Sequence, residues 1–214
     1  MAARVLSFGG MPKVRSWDAP VKRVAMTDEV SSRWMTVDDR ALVAECLNGR
    51  REAFDILVER HRRHVYQLCY RFVGNHEDAS DLAQEVFIRA YRNLARFRGQ
   101  SAVGTWLYRI AVNLCLNRIS AKNNTFERVE YRDHSDDRME TADAALLREE
   151  RAAEVRAAIA RLPKKQRATL VLRVYHELPH EEIAGILGSS VGAVKANFFH
   201  ALANLRKRLK GSGR

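Results

Sequence analysis

The chain has 214 residues and is 46% hydrophobic, enough to bury a core for one large or two small domains. Its 37 Lys and Arg against 26 Asp and Glu give a formal net charge of +11. That balance favours a polyanionic partner, and because no apolar run approaches ~20 residues, DNA or RNA fits better than a membrane. Residues 1–12 lack the continuous apolar core of a secretory signal, and Cys46, Cys69 and Cys115 form no Cys-x-x-Cys pair. These features argue against export, a disulfide framework and a thiolate metal site. They point to free thiols in a reducing cytoplasm.

In chain order, residues 1–35 mix Gly9, Gly10, Pro12 and Pro20 with scattered basic residues and read as an N-terminal arm. Helical patterning begins at Thr36 or Asp38, either of which can cap, and continues through Leu42, Val43, Cys46, Phe54, Ile56, Leu57, Val65, Leu68, Cys69, Phe72 and Val73. Gly49 and Gly74 punctuate it. Next comes an acidic helix over residues 76–92, then a break at Phe97-Arg98-Gly99-Gln100-Ser101, then a helix from about 103 to 120. Residues 36–120 therefore predict a compact all-helical domain.

The acidic helix is the unusual part of a basic chain. At about 100° per residue, Asp78, Asp81 and Glu85 fall in one narrow arc, opposite a stripe of Ala79, Leu82, Ala83, Val86 and Ala90. An acidic arc repels phosphate, so it reads as a docking surface for another protein. Ile88, lying in the polar arc beside Gln84 and Asp81, suits a contact patch better than a purely solvated face.

Residues 127–143 hold seven acids against three bases, a net of −4, and lose the apolar period; residues 121–148 read as an acidic linker. Helical pattern returns by Ala144, with Leu146, Leu147, Val155, Ile159 and Leu162 on one side, and Pro163 ends it. From residue 164 to 214, ten bases stand against three acids, a net of +7. Residues 149–214 thus form a second, basic domain. In it a short helix with Ile183, Ala184 and Leu187 inward ends at Gly188, and Ser189 and Ser190 can cap the next. Ala184, Gly188 and Val194 have the spacing that two steeply crossing helices require, which is a helix-turn-helix pattern. On the second helix Val191, Val194, Phe198, Ala201, Leu202 and Leu205 form the expected buried stripe. Gly192, Ala193, Ala196, Phe199 and His200 face outward with Lys195 and Asn197 on the flanks, and small residues there let a helix sit deep in a major groove. Lys195 suits a phosphate contact, Asn197 a base edge, and Phe199 either a thymine methyl or internal packing.

Together these motifs resemble the bacterial sigma-70 family of RNA polymerase specificity factors, in the small two-domain extracytoplasmic-function (ECF) group. Asp78-Ala79-Ser80-Asp81-Leu82-Ala83-Gln84-Glu85-Val86-Phe87-Ile88-Arg89-Ala90-Tyr91 looks like the family's core-polymerase-binding helix. Phe97-Arg98-Gly99, with Thr105-Trp106-Leu107-Tyr108-Arg109-Ile110-Ala111-Val112-Asn113, looks like the element that opens and reads the minus 10 box. Leu162-Pro163 and residues 178–209 look like the helix-turn-helix that reads the minus 35 box. The resemblance implies an all-α fold of two helical domains and no enzymatic activity, cofactor or metal. It implies core polymerase binding through Asp78, Asp81, Gln84, Glu85 and Ile88, with the beta-prime clamp and the beta flap as the polymerase surfaces engaged by the factor. It implies minus 10 contacts by Arg98, Gly99, Gln100, Ser101, Trp106, Arg109, Asn113 and Arg118, with Lys122 a further candidate on the duplex backbone. Minus 35 contacts fall to Ser190, Gly192, Ala193, Lys195, Ala196, Asn197, Phe199 and His200, and an anti-sigma factor is a further implied partner. At helical spacing from Ile110 and Leu114, Trp106 also reads as a core residue. Asn197 and His200 stand where many relatives have Arg, so a minus 35 sequence does not transfer.

Two rival readings stand beside this one. A conventional helix-turn-helix regulator with an N-terminal dimerisation or sensing domain explains the basic second domain, but neither the acidic helix nor the Phe97 to Asn113 element after it. An enzyme has only His61-x-x-His64 as a metal-like motif, and a surface histidine pair beside Arg62 and Arg63 explains that more simply.

Overall fold

The computed structural model describes residues 36–124 and 142–211, and all of their regular elements are helical. The expected N-terminal arm and residues 125–141 of the expected linker lie outside the described residues, as do the side chains of Lys122, Leu146 and Leu147.

Asp38, and not Thr36, starts α1 (Asp39–Leu47): its carboxylate accepts from the Ala41 N–H at 2.7 Å, a cap worth about 1 kcal/mol. α2 (Glu52–Val73) ends at Gly74, where φ is 78°, a conformation that glycine adopts at little cost and that lets its N–H reach the Tyr70 carbonyl. Asn75 then caps α3 (His76–Arg92) by accepting from the Asp78 N–H at 2.8 Å. A 3-10 turn over Leu94–Arg96 leads through the break to α4 (Val103–Asn124), longer by four residues than its apolar pattern suggests. α2, α3 and α4 pack on one another around Val65, Leu68, Cys69, Phe72, Ala83, Val86, Ala111 and Cys115, each fully buried. Burial of each large member of that set stabilises the fold by roughly 1.5–3 kcal/mol.

The second unit comprises α5 (Ala142–Ala160), α6 (Lys164–Tyr175), α7 (His180–Leu187) and α8 (Val191–Gly211). Pro163 sits at the N-terminus of α6, where its missing N–H costs nothing. α7 ends on left-handed Gly188 (φ 57°), and Ser190, not Ser189, caps α8 through its Oγ to the Ala193 N–H at 3.2 Å. Ile183, Ile186, Val194 and Ala201 are buried at the crossing, whereas Leu187 is only partly covered. Leu202, expected in the buried stripe, is 46% exposed, because it lies about 80° round the helix from Val194, at the stripe's edge.

The two units share one continuous apolar cluster. Arg167 of α6 is buried between them and donates to the Phe72 carbonyl of α2 and, at 3.4 Å, to that of Ala160. Beside it the Arg71 guanidinium lies 4.3 Å from the centre of the Tyr175 ring. Lys164 donates to the Ser120 hydroxyl.

Candidate functional site

The acidic face of α3 is narrower than its periodicity implies. Asp81 and Gln84 are exposed, Glu85 is partly exposed and Ile88 is 45% exposed. Asp78 departs from the expectation: it is only 6% exposed, takes hydrogen bonds from the Arg118 guanidinium of α4 and from Asn75 Nδ2, and so closes the α3–α4 seam instead of facing outward. This also commits the guanidinium of Arg118, a candidate minus 10 contact, to the protein's own seam. Glu85 pairs with Arg89 one turn on, at 2.6 Å. The negative charge of the face that no ion pair takes up therefore rests on Asp81 and the exposed Glu77; further along the helix lie Ile88 and Tyr91, 46% exposed, whose ring meets Phe54 edge-on at 5.0 Å.

The break after α3 is a built loop. Phe97 and Trp106 pack at 5.2 Å between ring centres, joining the loop's start to the first turn of α4. Trp106 is partly buried against the core, the packing role its spacing allowed. Gly99 adopts φ 67°, and Arg98 and Gln100 on either side of it are exposed. On α4, Arg109 and Asn113 are exposed, two turns of one outward face.

α8 presents Gly192, Lys195, Ala196 and His200 as exposed residues, with Ala193 and Asn197 partly exposed. A side chain at Gly192 would meet nothing within 4 Å, so the start of α8 is open to close approach. Phe199 is 68% exposed and touches only the His200 ring among aromatic neighbours, at 5.7 Å, so internal packing does not account for it. Ser190 spends its hydroxyl on the cap.

Among the described residues no group of three or more His, Cys, Asp or Glu could hold a metal ion. His61 is not a free surface histidine: its Nε2 lies 2.6 Å from an Asp39 oxygen, while Arg60 donates to the other oxygen at 2.9 Å. Burial works against the Asp39 carboxylate, but those hydrogen bonds and charges outweigh it and hold its pKa below the usual carboxylate value. Cys69 and Cys115 are buried free thiols; the hydrogen bond between them and their burial push the Cys115 pKa well up, as suits inert core residues. Cys46, partly exposed, is pushed up to about 11 by burial and by the nearby Asp55.

Contacts between the two units have no local signature in the sequence. Arg109 Nη2 donates to the Gly185 carbonyl of α7 at 2.6 Å, and Thr105 Oγ1 donates to Glu182 at 3.0 Å. Alongside, the His176 Nδ1 lies 3.2 Å from the Tyr108 hydroxyl. Burial, with the positive charges of His64 and Arg71, lowers the His176 pKa to about 4. The N-terminal part of α4 is thus tied to the first helix of the helix-turn-helix through Thr105 and Arg109, while Asn113, one turn on, stays exposed.

An exposed acidic face on α3, a braced loop leading into α4, and a basic helix-turn-helix are the features expected of a promoter specificity factor. Residues 57–125 match the Sigma-70 region 2 family and residues 152–205 the Sigma-70, region 4 family. The chain is 38% identical over 181 residues to the RNA polymerase sigma-H factor of Pseudomonas aeruginosa, covering 80% of this chain and 94% of that one. It is 35% identical over 181 residues to the ECF RNA polymerase sigma factor SigW of Bacillus subtilis, covering 78% and 95%. Among solved structures, CnrH in complex with the cytosolic domain of CnrY superposes with a TM-score of 0.61 at 28% identity, over 81% of this chain and 97% of that one. The chain belongs to the sigma-70 family, in its ECF group: it is a sigma factor directing promoter recognition by RNA polymerase, and it is not an enzyme. The acidic helix and the element after it fall inside the region 2 match, which removes the rival readings of a conventional regulator and of an enzyme. No helix among the described residues is long and apolar enough to cross a membrane.

Proposed function

We propose that the chain divides its work by charge, with α3 gripping the polymerase and the basic helices gripping the promoter. Asp81, Gln84, Glu85 and Ile88 dock on basic helices of the beta-prime clamp, with Asp78 the buried anchor that sets the pitch of α3 against α4. The observation that carries this reading is the survival of an exposed acidic and apolar face on one helix of a chain with net charge +11.

The loop of Arg98, Gly99, Gln100 and Ser101 receives an unpaired base of the minus 10 element, Arg109 and Asn113 hold the adjoining backbone, and Trp106 stiffens the loop from behind. Unstacking a base costs a few kcal/mol, which pocketing and stacking must recover. On α8, Lys195 holds phosphate while Ala193, Ala196, Asn197, Phe199 and His200 meet the major groove of the minus 35 element; the beta flap supports this unit. The two boxes lie about 25 base pairs apart, on the order of 85 Å of duplex at 3.4 Å per pair. With Arg109 and Thr105 tied to α7, α4 cannot reach one box while α8 holds the other, so the units part on the polymerase. An anti-sigma factor is the partner of the closed pair; the similar chain CnrH is likewise held in a complex, with the cytosolic domain of CnrY.

Site-directed crosslinking in the promoter complex tests the assignment. A crosslinker at Gln100 is expected to label the minus 10 non-template strand and one at Phe199 the minus 35 duplex; exchange of those targets, or labelling of neither, contradicts it.

A further inference from the structure

The loop that carries Arg98 and Gln100 is held from outside by a residue of α1. Arg40 Nη2 donates to the Gly99 carbonyl at 3.0 Å, across 59 positions of sequence. Gly99 has φ 67° with nothing within 4 Å of where a Cβ would stand, so glycine serves the backbone conformation there and no crowding requires it. α1 itself is pinned: Asp39, next to Arg40, takes the bonds from Arg60 and His61 of α2. The His61 ring also lies in van der Waals contact with the position a side chain at Gly104 would take, 3.5 Å away, at the start of α4. The loop is therefore fastened at its start by Phe97 on Trp106 and at its crest by Arg40. Of these, only the bond from Arg40 acts on the backbone that presents Arg98 and Gln100.

From this geometry we infer that Arg40 is a positioning residue for minus 10 recognition: without touching DNA it holds the Gly99 carbonyl so that the loop keeps one shape for one base. The inference rests on the reading of residues 98–101 as the minus 10 reader. A held loop discriminates because a wrong base cannot be accommodated by moving the backbone, whereas a released loop adapts to several.

The test uses holoenzyme assembled from the full chain and core RNA polymerase. It measures open-complex formation by 2-aminopurine fluorescence on promoters that vary only in the minus 10 box. Arg40→Ala is expected to lose about tenfold on the preferred box, the scale of one charge-assisted hydrogen bond, and much less on the others, so that discrimination between boxes shrinks. Its salt dependence stays that of the wild type, because no phosphate contact is lost. Gly99→Ala, which strains the left-handed backbone from the other side, compresses preference in the same way, and the double variant is no worse than the stronger single one. A salt slope reduced by about one makes Arg40 a phosphate contact and overturns the inference. So does a holoenzyme carrying Arg40→Ala with unaltered preference while Arg98→Ala and Gln100→Ala change it. If Arg98→Ala and Gln100→Ala leave preference untouched, the loop reading itself falls, and the inference with it.

Discussion

Arg109 of α4 donates to the backbone carbonyl of Gly185 at 2.6 Å, so a candidate DNA-binding cation is held at the C-terminal end of a helix in the other unit. Helix C-termini carry partial negative charge and unpaired carbonyls, and a guanidinium there replaces the water they would otherwise keep. The closed arrangement is also fastened at Arg167, whose buried guanidinium donates across the seam to the Phe72 carbonyl and, within its own unit, to that of Ala160. Arg167→Met keeps the length and removes the donors, leaving those carbonyls without them. The variant should lose about 2–3 kcal/mol of stability, a fall in Tm of roughly 5–10 °C, and should show an enlarged radius of gyration in solution scattering. An unchanged radius would mean that Arg167 does not hold the units together.

The His176 contact makes closure sensitive to acid. His176 has a pKa of about 4 when buried beside Tyr108, with His64 and Arg71 nearby, against 6.5 when released. Between these values the released form binds more protons, so the closed form loses stability as pH falls through that window, by up to about 1.4 kcal/mol per pH unit. Above about pH 6.5 this contribution is fully present and flat. Fluorescence transfer between labels on the two units should report the loss, and His176→Gln should flatten it. Equal pH dependence in the variant would assign the effect elsewhere.

Asp78 and Asp81 should separate folding from docking although they lie one turn apart. Asp78→Ala strips the partner from Arg118 and Asn75 in a buried seam and is expected to cost about 2–3 kcal/mol in chemical denaturation. Asp81→Ala, on open surface, should stay within about 0.5 kcal/mol of the wild type. Equal losses would contradict the division.

On α8, Lys195→Ala should weaken binding alike on all minus 35 sequences and lower the salt slope by about one, whereas Asn197→Ala should change which bases are preferred. Binding titrations of holoenzyme on a panel of minus 35 variants distinguish these, and a base preference altered by the Lys195 change alone would reverse the two roles.

Much of the fold was legible from local chemistry. Gly188 needs a left-handed turn, Asp38 and Ser190 cap, Pro163 interrupts, and the apolar period places Val86 and Val194 inside. These are short-range rules that a linear sequence displays. Asp78 escaped them because it lies about 80° from Val86 on α3, closer to the buried stripe than Asp81 at about 140°, and its cover is Arg118, forty positions on. Arg40 on Gly99, Arg167 on Phe72 and Arg109 on Gly185 are likewise long-range bonds between a cation and a backbone carbonyl. A carbonyl has no sequence signature, so only the fold reveals such pairs.

If negative charge on α3 grips the polymerase while positive helices grip the promoter, reversing that charge should abolish assembly without unfolding the chain. Run-off transcription with cognate core RNA polymerase, comparing the wild type with Asp81→Arg plus Glu85→Arg at matched helical content and Tm, tests it most directly. Specific initiation is expected with the wild type, and loss of both core binding and transcript with the charge-reversed chain. A charge-reversed chain that assembles with core enzyme and initiates as the wild type does would contradict it.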